Sequence, residues 1–194
     1  SFSLHIAVAQ PALLKVLLDT GANPSLVDSQ GLTALHAAAW LGQLDSVEIL
    51  LRDSRVDCVF QNPAGFNALH LAALEGHTEV VKLLCQSCPQ ALEAVTREAH
   101  LTPLFLAVLR GNSLPTIKAL IEAGASLDVV DSSGLTLLEA ARKEGRPDVL
   151  GLLEHSGETT GDQSTSLNGD CVEDASLSSV LGLHDAANNP GVLK

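Results

Sequence analysis

Methionine and tyrosine are absent from this 194-residue chain, tryptophan occurs once and phenylalanine four times. Bases are scarce as well: 11 Lys and Arg face 23 Asp and Glu, a formal charge of −12. That field repels nucleic acid and anionic membrane surfaces, which excludes both as partners. No uncharged apolar run approaches the ~20 residues that a membrane span requires. The start, Ser1–Gln10, lacks a basic region and a cleavage site, so no signal peptide is read there. Repeat sequence begins almost at once without an initiator Met, as expected of a piece of a longer protein. Cysteine is too sparse, at four residues, for a disulfide framework, and an intracellular reducing compartment is expected, cytoplasm or nucleus. What is present in quantity is apolar: 46% of the residues are hydrophobic, enough for a continuous core.

That apolar material recurs with a period. Gly31, Gly65, His100 and Gly134 are spaced 34, 35 and 34 residues apart. Two residues after each marker the strings Thr33-Ala34-Leu35-His36, Asn67-Ala68-Leu69-His70, Thr102-Pro103-Leu104-Phe105 and Thr136-Leu137-Leu138-Glu139 begin. Small pairs follow, then Gly42, Gly76, Gly111 or Gly145, then a second apolar run such as Val47/Leu50/Leu51. A Thr or Asn before an Ala-rich stretch starts a helix, because its side chain can accept an orphan amide of the first turn. Pro103 suits a first helical position. Ala-Ala pairs let neighbouring helices approach closely, and the later glycine ends the first helix. Each helix pair has a face that only another pair can cover, which predicts a stacked all-α solenoid.

This pattern resembles the ankyrin repeat, with its ~33-residue period and T-P-L-H-x-A core. The resemblance covers residues 1–155 as five repeats, at about 1–27, 28–61, 62–96, 97–130 and 131–155, the first truncated. It implies helix-turn-helix units joined by β-hairpin-like turns. The fourth repeat departs most, with His100 for Gly, Phe105 for His and a residue inserted near Ser113-Leu114-Pro115, so it is the expected weak link. Residues 156–194 hold six acids and one Lys and read as a disordered acidic tail. Within the tail, Leu177, Val180, Leu181 and His184 predict no more than a marginal helix over 172–187.

Catalytic candidates dissolve on inspection. Cys85 and Cys88 have metal-knuckle spacing but no second pair, and read as small residues at a helix exit. His36 and His70 occupy the repeat's fourth position, where the resemblance implies a ring bonded to neighbouring backbone. Neither a phosphate loop nor a Ser/His/Asp set stands out. No enzyme activity, metal, cofactor or small-molecule substrate is expected.

The resemblance instead implies a protein or peptide partner along a concave surface of turn tips and first helices. At its variable positions stand Leu32, Phe66, Leu101 and Leu135 after each marker, then Trp40, Leu74, Leu109 and Lys143 before the helix-ending glycine, with Leu41, Glu75, Arg110 and Glu144 beside them. An apolar stripe containing the single Trp is the expected partner site, built from Trp40, Leu41, Phe66, Leu74, Leu101 and Leu109, with Glu75 and Arg110 at its rim. Two alternatives stand beside this. One is a regulatory inhibitor that masks its partner, since the opening Leu4-His5-Ile6-Ala7-Val8 and the acidic tail are loosely similar to inhibitors of the I-kappa-B type. The other is a set of substrate-recruiting repeats within a larger enzyme.

Overall fold

The computed structural model describes residues 2–110 and 113–156; the marginal helix expected at 172–187, and the tail that carries it, lie outside the described residues. Among the described residues, ten α-helices follow one another in five pairs: α1 (Phe2–Ala7) with α2 (Pro11–Asp19), α3 (Ala34–Trp40) with α4 (Leu44–Leu51), α5 (Ala68–Glu75) with α6 (Thr78–Ser87), α7 (Pro103–Leu109) with α8 (Leu114–Glu122), and α9 (Leu137–Lys143) with α10 (Pro147–Ser156). A 3-10 turn, Pro89–Ala91, follows α6. Among the described residues no strand forms, and the turns contribute a single isolated bridge between Val130 and Thr136.

The expected helix starts are where the capping chemistry puts them. Thr33, Asn67, Thr102 and Thr136 hold extended backbone immediately before α3, α5, α7 and α9. Asn67 Oδ1 accepts the His70 amide at 2.9 Å, and Thr136 Oγ1 accepts the Glu139 amide at 3.3 Å. The Glu139 carboxylate closes the box by accepting from the Thr136 amide at 2.9 Å. The small pairs then decide the packing. Ala38, Ala39, Ala72, Ala73, Ala107, Ala140 and Ala141 have no measurable exposure, and through them α3, α5, α7 and α9 stack in one row. The second helices α2, α4, α6, α8 and α10 stack in another.

Histidines stitch successive pairs. The His5 Nε2 lies 2.7 Å from the Leu32 carbonyl, His36 Nε2 3.1 Å from that of Phe66, and His70 Nε2 3.1 Å from that of Leu101. A carbonyl can only accept, so each Nε2 carries the proton and donates. For His36 the other nitrogen then accepts from the Thr33 hydroxyl at 2.8 Å. The series ends at Phe105, which fills the same position with a fully buried ring and has no proton to give.

The fourth turn differs in another way. Asp28, Asn62 and Asp131 each donate their own amide to the carbonyl four residues on, whereas the Thr96 amide donates to that of Leu101, five residues on. This longer turn places His100 at a φ of +51°, where the corresponding Gly31, Gly65 and Gly134 have φ of +76°, +89° and +85°. A side chain in that left-handed region costs about 1 kcal/mol relative to glycine. His100→Gly is therefore expected to raise stability by up to about 1 kcal/mol, read as an upward shift of the urea midpoint. An unchanged or lower midpoint would show that the longer turn relieves the strain.

Cysteine departs from expectation. Cys58 and Cys88, 30 residues apart in sequence, form a disulfide with Cα atoms 6.3 Å apart. Cys88 is thus more than a small residue at a helix exit, and that reading is corrected. Cys85 is a free, buried thiol, pushed up to about 11 by its burial.

Candidate partner-binding surface

Two kinds of position set this surface: the last residues of each first helix, and the extended segment leading into each turn. The helix ends follow from the stack. Trp40 closes α3 half-buried, with its backbone carbonyl 2.9 Å from His77 Nε2 of the next pair. Leu41, the residue after it, is 49% exposed. One pair further, Leu74 is buried at 2% exposure while Glu75 beside it is open to solvent. In the following pair Leu109 is half-buried and Arg110 exposed.

The continuous apolar stripe expected from the sequence is therefore corrected at three places. Phe66 and Leu101, at 2% and 3% exposure, are core residues. Their amides bond to Asn62 Oδ1 at 2.9 Å and Thr96 Oγ1 at 3.0 Å, and their carbonyls face the histidines of the preceding pair. A residue bonded on both sides in this way lies in the joint, and its side chain folds under the turn. Leu74 is the third. It lies on α5, which packs between α3 and α7 and is buried throughout Ala68–Leu74. Trp40, Leu41, Glu75, Leu109 and Arg110 keep access to solvent.

The turn approaches supply apolar surface that the sequence reading missed. Leu26, Val27, Val59, Phe60, Val95 and Val130 are 36–51% exposed, and they recur within three residues before Asp28, Asn62, Thr96 and Asp131. Neighbouring tips are tied together: the Gln61 side-chain amide donates to the Val95 carbonyl at 3.2 Å and to the Gly65 carbonyl at 2.8 Å. Further bonds run from the Arg97 amide to the Ala64 carbonyl and from the Ser132 amide to the Ala99 carbonyl, each at 3.0 Å. Phe60 rests edge-on against the His36 ring, with centroids 5.9 Å apart. The available signal was a large apolar residue within three residues before each turn. It falls outside the helix strings that carry the repeat.

Buried polarity is concentrated in the joints beneath the surface. Burial holds the His70 imidazole down at about 4 and lowers that of His36, so both rings are neutral at pH 7 and serve as hydrogen-bond parts. Among the described residues no group of three His, Cys, Asp or Glu side chains could hold a metal ion. None of the described helices is long and apolar enough to cross a membrane.

Comparison with known proteins gives the same family from several directions. A family model of three ankyrin-repeat copies matches residues 4–94, and a single ankyrin-repeat model matches residues 100–132. The B-cell lymphoma 3 protein homolog of Mus musculus is 31% identical over 163 residues, covering 81% of this chain and 36% of that protein. The potassium channel AKT2/3 of Arabidopsis thaliana is 29% identical over 153 residues, covering 78% of this chain and 18% of the channel. NF-kappa-B inhibitor alpha of Sus scrofa is 38% identical over 88 residues, covering 42% of this chain and 28% of the inhibitor. The chain thus spans well under half the length of these relatives and matches what they share, the repeats. Ankyrin repeats are generally non-catalytic modules that bind other proteins. With repeat matches on both sides of the His100 turn, this chain belongs to the ankyrin-repeat family.

Proposed function

We propose that this chain binds a protein partner across the turn tips and the open ends of the first helices. The contact set is Trp40, Leu41, Leu109 and the tip residues Leu26, Val27, Val59, Phe60, Val95 and Val130, with Glu75 and Arg110 among them. One observation carries the reading: large apolar side chains stay exposed within three residues before each of four successive turns. Exposed apolar surface that recurs in register is a mark of association, and a Trp beside it is the residue type that most often anchors an interface. The test is a photo-crosslinking amino acid placed at Leu41, at Val95, or at Glu122 on α8, in cells. Leu41 and Val95 should capture the same polypeptide and Glu122 should not. Asp substitutions at Leu26 and Val130, which flank the probes, should reduce that capture at least tenfold without lowering the melting temperature. Equal capture at all three sites would remove the proposal.

A second reading, an inhibitor that masks its partner, is favoured by the 38% identity to NF-kappa-B inhibitor alpha. That protein inhibits NF-kappa-B by its name, so purified NF-kappa-B is the probe for this chain. Saturable binding by calorimetry that is weakened by Leu41→Asp would support the inhibitor reading. Absence of heat at micromolar concentrations would reject it and leave the general one standing.

A further inference from the structure

The Cys58–Cys88 bridge has a position that the repeat pattern does not call for. The connections from a second helix to the next turn run over residues 20–27, 52–61, 88–95 and 123–130, and the one carrying Cys58 is two residues longer than the others. Cys58 is half-buried, two residues before Phe60, and Cys88 is buried at the end of α6, where the chain turns toward Val95. The disulfide therefore ties the approach to one tip to the approach to the next, across the same junction that the Gln61 to Val95 hydrogen bond spans.

We propose that Cys58 and Cys88 form a reversible redox clasp that fixes the spacing of the Phe60 and Val95 tips. This rests on the partner-surface reading above for its consequence, though not for its chemistry. In the reducing direction a glutathione thiolate attacks the half-exposed Cys58 sulfur. The Cys58–Cys88 bond breaks, a mixed disulfide forms at Cys58, and Cys88 leaves as a thiolate that takes a proton from water. A second glutathione thiolate attacks the glutathione sulfur of the mixed disulfide, releasing glutathione disulfide and the Cys58 thiolate. Two electrons pass from two glutathione molecules to the protein. Oxidation is the reverse, with glutathione disulfide as the oxidant. Cys85, one turn before Cys88 on α6, stays out of the exchange because it is buried and its thiol holds its proton.

With the clasp open, no covalent bond ties the 52–61 connection to the end of α6. The full 194-residue chain, equilibrated in glutathione buffers from fully reduced to fully oxidised, provides the test. After acid quench, alkylation in denaturant and peptide mapping should show a 58–88 cross-linked peptide in oxidising buffer. In reducing buffer alkylated Cys58 and Cys88 should replace it, and Cys85 should be alkylated throughout. Amide exchange over 56–61 and 93–97 should speed up at least tenfold on reduction, with α9 and α10 unchanged. The melting temperature should fall by roughly 5–10 °C. The Cys58→Ser/Cys88→Ser chain should behave as the reduced form in every buffer. Absence of the cross-linked peptide at all ratios, its persistence in fully reduced buffer, or unchanged exchange at the two tips on reduction would each overturn the clasp. None of these outcomes depends on capture at Leu41 and Val95, so clasp and partner surface fail separately.

Discussion

Leu74→Ala is expected to cost about 3 kcal/mol of stability, which in a domain of this size lowers the melting temperature by roughly 6–12 °C. Leu74 ends the buried run of α5, between α3 and α7, at 2% exposure. Truncation leaves a cavity that backbones packed through Ala72 and Ala73 cannot close without moving a neighbouring helix pair. Leu41→Ala supplies the contrast, since its side chain is 49% exposed and a substitution there stays within about 0.5 kcal/mol. Thermal unfolding of the two variants side by side checks the prediction. Equal, small shifts would mean that Leu74 is a surface residue and would contradict its burial on α5.

Acid should begin to destabilise the chain below pH 6.5, above the pH at which its carboxylates titrate. Burial depresses the folded-state pKa of His70 from 6.5 to about 4, and that of His36 in the same direction. A depressed histidine binds its proton more readily in the unfolded chain. Its contribution is full above pH 6.5, is lost as pH falls toward 4, and is constant below that. For His70 alone the loss is on the order of 3 kcal/mol, because burial takes the charged ring out of water. The lowered carboxylates Asp53, Glu139 and Asp148 belong to a separate window, losing their modest contributions only below about pH 4. Urea midpoints at pH 7, 6, 5 and 4 should therefore fall steadily. His70→Phe copies the arrangement that Phe105 already adopts in the fourth pair, and should flatten that slope whatever it does to the midpoint at pH 7. A flat profile in the unsubstituted chain would contradict neutral, buried rings.

The parts of this fold that could be read in advance are those decided within one repeat. Thr33, Asn67, Thr102 and Thr136 cap helices because capping needs only the residue and the next turn. His36 and His70 were expected to bond to neighbouring backbone, and they do. What was misread is decided between repeats. Phe66 and Leu101 occupy positions that vary freely in such repeats, yet their carbonyls are the acceptors for the histidine ladder, and that places them inside. Leu74 differs from Trp40, in the same register, because α5 packs more closely between α3 and α7 than α3 does between α1 and α5. The Cys58–Cys88 pairing depends on how far a ten-residue connection, 52–61, reaches over the end of α6, which no local spacing reports. The exposed tip residues went unnoticed because they lie outside the conserved-looking helix strings.

The most direct test of the partner surface is amide exchange of the 194-residue chain, free and bound to the polypeptide captured through Leu41. Slower exchange on binding confined to the approaches before Asp28, Asn62, Thr96 and Asp131 and to the ends of α3, α5 and α7 is the predicted result. Protection that falls instead on the outer helices α4, α6 and α8, with the tips unaffected, would contradict it.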